Sequence, residues 1–120
     1  MTDPVSDVTV WHNARCSKSR GACGLLEERG IAATVVRYLD EPPPRAELAR
    51  VLGLLGLEDP RQMMRTNEPI YRELGLADAD RDILLDAMVS HPILIERPIV
   101  IRGDSAVIAR PPERLLELLG

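Results

Sequence analysis

The sequence reads as β-α-β, then helices, then β-β-α, an order that predicts an α/β fold of thioredoxin-like layout. Two β-rich apolar runs, at residues 8–12 and 34–39, flank a helical segment. A Gly-Asp pair at 103–104 joins two further apolar runs, and the residues between these halves read as helical. The expectation is a mixed four-stranded sheet flanked by helices. At 120 residues the chain is expected to form one domain with a helical insertion at about 57–90.

Each element has a local reason. VTVWH at 8–12 is apolar and β-rich, as a buried strand requires. CSKSRGACGLLEER at 16–29 reads as a helix, and Gly30 supplies its stop. TVVRYL at 34–39 predicts the second strand. DEPPPR then turns the chain into a helix over roughly 45–55, with proline tolerated at its start. The stretch 57–90 is helical but interrupted at Pro60, Pro69 and Gly75. Its last helix, near 80–90, pairs Ile83 with Ala87 and Leu84 with Met88. PIVIR and SAVIAR flank Gly103-Asp104 as a hairpin, and PPERLLELLG closes the chain as a helix with prolines at its start. His91 is expected to cap or pack near the turn into Pro92.

Composition narrows the function classes. A net charge of −4 argues against a nucleic-acid surface, which needs a concentrated basic face. Basic residues are 14 Arg and one Lys, so an isolated Arg says little about anion binding. No uncharged stretch approaches the ~20 residues needed to span a bilayer, and the first 16 residues contain Asp3, Asp7 and Arg15 rather than a signal core. A cytoplasmic location is expected, with the two cysteines reduced and no membrane partner. Neither His12 nor His91 has a Cys or His partner at zinc-site spacing, so no metal is expected.

The chemistry centres on Cys16. A helix starting there places its thiol where unpaired backbone N–H groups and the helix dipole favour an anion. An unperturbed thiol is only a few per cent thiolate at neutral pH, and neighbouring cations raise that share. Arg15, Lys18, Arg20 and His12 are the local candidates, and the same N–H groups suit a tetrahedral oxyanion. Cys23 differs: Ser19, Ala22, Cys23 and Leu26 fall on one helical stripe, so Cys23 is expected to face the core. Along one helix the two cysteines lie ~10 Å apart, too far for a disulfide. A redox C-x-x-C is absent because Ser19 occupies its second position. A phosphatase-type C-x5-R loop is absent because Ala22 stands where its arginine would be.

HNARCSKSR, RTNEPIYRELGL and HPILIERPIVI, in this order and spacing, resemble the glutaredoxin-linked arsenate reductases of the ArsC family, as do YLDEPPPRAEL and ARPPE. The resemblance covers roughly residues 8–119 and implies a thioredoxin-like fold. It places the nucleophile on Cys16 and oxyanion-binding arginines on Arg65, Arg97 and Arg110. His12 matches the family's histidine near the thiol, an aid to thiolate formation, and Ser19 matches a hydroxyl residue of the first helical turn that joins the substrate ligands. The implied partners are arsenate, glutathione as co-substrate and glutaredoxin, with no tightly bound cofactor. Thioredoxin-like folds also imply a cis bond at Arg97–Pro98.

Two other readings share the superfamily. One is a glutathione-dependent thiol reductase of another substrate, using the same Cys16; three retained arginines favour an oxyanion instead. The other is a regulator similar to Spx that binds RNA polymerase, whose usual C-x-x-C switch Ser19 removes.

Overall fold

The computed structural model describes residues 8–96 and 98–119. The chain falls into two compact units, one gathering the described residues of Met1–Tyr38 and Arg97–Gly120, the other Leu39–Glu96.

The first unit is the sheet. Strand β1 (Val8–Trp11) leads to helix α1 (Ser17–Glu28) and strand β2 (Thr34–Val36), and the chain returns as β3 (Ile99–Arg102) and β4 (Ser105–Ile108). The order is β2-β1-β3-β4. β1 runs parallel to β2 and antiparallel to β3, and β3 is antiparallel to β4. This is the mixed four-stranded, thioredoxin-like sheet that the element order predicts. β1 and β3 are central and almost wholly buried, which is why both are near-continuous apolar runs. The hairpin turns on Gly103-Asp104, with Arg102 facing Ser105. Gly103 alone of the two has positive φ (56°), the pattern of a II′ turn with glycine first.

One boundary differs from expectation. The second strand stops at Val36 instead of Leu39, because its parallel partner β1 ends at Trp11, opposite Val36. The last rung is His12 N–H donating to Val36 O at 2.8 Å, and β1 then yields to the loop before α1. Helix α1 closes where expected. Gly30, at φ +70°, donates to Glu27 O, and Ile31 N–H reaches back to Leu26 O, both at 2.9 Å. The core on one face of the sheet joins Val8, Val10, Val100 and Val107 to Ala22 and Leu26 of α1 and to Leu115. Leu115 ends a 3-10 turn, Pro112–Leu115, that leads into the short α5 (Leu116–Leu119).

The second unit holds α2 (Arg45–Leu54), α3 (Pro69–Glu73) and α4 (Arg81–Ser90), joined by 3-10 turns at Pro60–Met63, Leu76–Asp78 and Pro92–Leu94. The helices expected over 57–90 lie here, interrupted at Pro60, Pro69 and Gly75, the last in the left-handed region (φ 63°). Asp80 caps α4 by accepting from Ile83 N–H, and His91 ends it, its N–H donating to Ala87 O at 2.7 Å. An antiparallel bridge pairs Met64 with Ile95. Among the described residues no helix is long and apolar enough to cross a membrane.

Arg61 secures the middle of this unit. Its Nη2 donates to Leu76 O at 2.8 Å and Ala79 O at 2.5 Å, and its Nη1 meets Asp59 at 3.1 Å. Arg61→Met leaves two carbonyls at a turn without their charged donor, so it should cost about 2 kcal/mol by urea denaturation. Arg72→Ala, at an exposed position, should stay within about 0.5 kcal/mol. Equal midpoints for the two variants would refute the role of Arg61.

Candidate active site

Where β1 ends, residues 12–16 must turn from strand into helix, and polar side chains secure that turn. Asn13 Oδ1 accepts from Arg15 N–H at 2.9 Å, and Cys16 N–H donates to Asn13 O at 3.0 Å. Arg20 Nη1 reaches back from α1 to Ala14 O at 2.8 Å. Ser19 is fully buried, and its Oγ accepts from Asn13 N–H at 2.9 Å while lying 2.7 Å from His12 Nδ1. One hydroxyl thus ties the end of β1 to the first turn of α1.

Cys16 is the N-cap of α1, half-buried, with extended backbone (φ −96°, ψ 122°) and no side-chain cap hydrogen bond. Its carbonyl accepts from Arg20 N–H at 3.0 Å, which starts the helix. The N–H groups of the first turn therefore have no acceptor within the helix and mark the positive end of its dipole. Arg110 Nη1 lies 4.0 Å from Cys16 Sγ. Arg110 comes from the chain just after β4 and precedes a cis bond to Pro111. Helix start and guanidinium together create an environment suited to a thiolate and to an oxyanion beside it.

His12 is half-buried and its pKa lies below the ordinary imidazole value of 6.5. Burial is the main cause, followed by the Arg37 guanidinium and, more weakly, that of Arg20; a contribution from the Ser19 backbone acts the other way. The ring is accordingly neutral at neutral pH, so of the cations expected around Cys16, His12 is not a standing one. Cys23 is half-buried against the core, as its helical stripe predicts, and among the described residues neither cysteine forms a disulfide. Its pKa is raised, first by burial and then by Glu27. Its Sγ also lies 3.5 Å from His12 Nδ1, a contact the sequence reading missed. The available signal was spacing: Ser19 and Cys23 are one helical turn apart, on the face of α1 turned toward the residue after β1.

The first unit therefore brings Cys16, His12, Ser19 and Arg110 together. Arg65 belongs to the second unit. There its N–H donates to Leu94 O at 2.7 Å and its Nη1 pairs with Glu68 Oε2 at 2.8 Å. Arg97 and the Arg97–Pro98 bond lie outside the described residues. Among the described residues, no group of three or more His, Cys, Asp or Glu side chains gathers as metal ligands would.

Two predictions follow from this geometry. Arg110→Ala removes a guanidinium nitrogen that lies 4.0 Å from the sulfur, and Cys16 alkylation by iodoacetamide at pH 7 should slow about three- to tenfold. An unchanged rate would exclude that guanidinium from activating the thiol. His12 has a lower pKa folded than unfolded, so the unfolded chain takes up its proton first as pH falls. The stability tied to neutral His12 is complete above the unfolded value of 6.5 and is lost as pH drops through it toward the folded value. His12→Gln should therefore flatten the decline of the urea midpoint below 6.5; parallel declines in both proteins would contradict it.

The family model described as the ArsC family matches residues 11–118. Arsenate reductase from Neisseria meningitidis serogroup A is 50% identical over 115 residues, 94% of this chain and 98% of that one. Arsenate reductase from Escherichia coli K12 is 39% identical over 118 residues, 96% of this chain and 82% of that one. Among solved structures, arsenate reductase from Vibrio cholerae superposes with a TM-score of 0.90 at 48% identity, covering 92% of this chain and 95% of that one. The family model runs from the end of β1 through Cys16 to α5, and the chain belongs to the ArsC family.

Proposed function

We propose that this protein reduces arsenate to arsenite, with Cys16 as its single nucleophile and glutathione and glutaredoxin as the source of electrons. The observation that carries the reading is the position of Cys16, an N-cap whose sulfur lies 4.0 Å from Arg110 Nη1. The names of relatives 39–50% identical over nearly the whole chain support the substrate.

In this reading the Cys16 thiolate attacks the arsenic of bound arsenate, and an arsenate oxygen leaves as water. A glutathione thiol then supplies the second sulfur. Arsenic takes two electrons from the two sulfurs, and arsenite departs as they join in a mixed disulfide. Glutaredoxin attacks that disulfide and restores Cys16. Arsenate is a divalent oxyanion near neutral pH, which suits guanidinium donors and a helix N-terminus. The family pattern assigns Arg65 and Arg97 to the oxyanion beside Arg110, and Ser19 to the substrate ligands. His12 assists as a neutral ring. Glutathione serves as co-substrate with no tightly bound cofactor, and the cytoplasm, where thiols stay reduced, is the fitting compartment.

The test couples the purified protein to glutathione, glutaredoxin, glutathione reductase and NADPH. Arsenate should trigger NADPH consumption, Cys16→Ser should abolish it, and Cys23→Ser should leave it largely intact. No arsenate-dependent consumption with saturating partners would overturn the assignment.

A further inference from the structure

His12 Nδ1 faces two groups on α1, Ser19 Oγ at 2.7 Å and Cys23 Sγ at 3.5 Å. The location of the protons follows from what each group must satisfy. Ser19 is fully buried, and its hydroxyl already accepts from Asn13 N–H. A buried hydroxyl must also place its own proton, and His12 Nδ1 is the acceptor within reach. Nδ1 therefore carries no proton, and in the neutral ring the proton sits on Nε2. Cys23 Sγ–H, one helical turn beyond Ser19, is a second and weaker donor to the same nitrogen.

We propose that Cys23 is a positioning residue: with Ser19 it encloses His12 Nδ1 between two donors, so that His12 works through an Nε2–H donor and not as a base. The proposal rests on the reductase reading for its consequence, since an N–H donor stabilises a thiolate or an oxyanion without removing a proton. The charged groups around the pair are Arg37 after β2 and Arg20 on α1, which both disfavour a protonated ring, and Glu27, which acts on Cys23. A cavity of about 180 Å³ lined by Val10, Cys23, Leu26, Glu27, Ile31 and Val35 adjoins the thiol, so a valine fits there without the donor.

The test compares Cys23→Val with Cys23→Ser, and Cys23→Ala as a donor-free variant with no added bulk. The 15N resonances of His12 are followed against pH, with His91 as internal control. Wild type and Cys23→Ser should show an unprotonated, hydrogen-bonded Nδ1 and a protonated Nε2. Cys23→Val and Cys23→Ala should move Nδ1 toward the position of an acceptor with one donor fewer, Ser19 alone remaining. Their His12 titration midpoint should rise by about 0.3–0.5 pH unit, the scale of one weak hydrogen bond. A packing role alone predicts the reverse order, with Val near wild type and Ser displaced, and that result would overturn the proposal. So would a proton on Nδ1 in the wild type. The nitrogen shifts need no substrate, so absence of arsenate turnover would count against the reductase reading while leaving the proton assignment standing.

Discussion

A hydroxyl sealed from water must find both an acceptor and a donor inside the protein, and Ser19 meets that constraint between two elements of secondary structure. Its oxygen takes the Asn13 N–H, and its proton is left for His12 Nδ1. The residues it holds are those at the end of β1, where the ladder with β2 gives out. Since β1 is central to the sheet, the hydroxyl registers the first turn of α1 against a buried inner strand of its unit. Cys16 is the residue before that turn, so its sulfur inherits its place from the same bond. A missing partner would cost about 1–3 kcal/mol in desolvation, enough to loosen the loop it closes.

Electrostatics around the sulfur divides unequally among nearby cations. Arg20 uses a guanidinium nitrogen to hold Ala14 O, which shapes the loop, and Arg110 brings its Nη1 close to Cys16. His12 is kept neutral by burial and by Arg37 and Arg20. These arginines therefore have two effects: they favour negative charge nearby and refuse a further positive one on the ring. Arg65 shows a different balance in its own unit. Its pair with Glu68 engages one Nη nitrogen, whereas a guanidinium carries five N–H donors in a planar fork. The carboxylate orients the group without exhausting it.

Much of this was legible in the sequence because it rests on local rules. The apolar run at 8–12 had to be a buried strand, Gly30 and Gly103-Asp104 had to punctuate, and Pro60, Pro69 and Gly75 had to break the 57–90 stretch. Cys16 was legible as an N-terminal thiol from its polar neighbours alone, and family resemblance singled Arg110 out among 14 arginines. What escaped was non-local. The length of β2 depends on where its partner ends, which TVVRYL does not state. Whether His12 is charged depends first on its burial and then on Arg37, which follows a different strand. The stripe of α1 showed that Ser19 and Cys23 face inward, but not that a ring nitrogen would meet them there.

The two thiols of α1 show how position along one helix assigns opposite roles to the same side chain. Cys16 stands at the N-terminus, beside first-turn N–H groups and a guanidinium, where a sulfur anion is favoured. Cys23 stands two turns along, half-buried against aliphatic residues with Glu27 one turn ahead, and burial and that carboxylate both hold its proton on. A retained proton makes Cys23 a poor nucleophile, so it does not compete with Cys16 for an electrophile or for glutathione. The same proton is what a thiolate could not offer to His12 Nδ1. Suppressed reactivity at one sulfur is thus the condition for its hydrogen bond to His12.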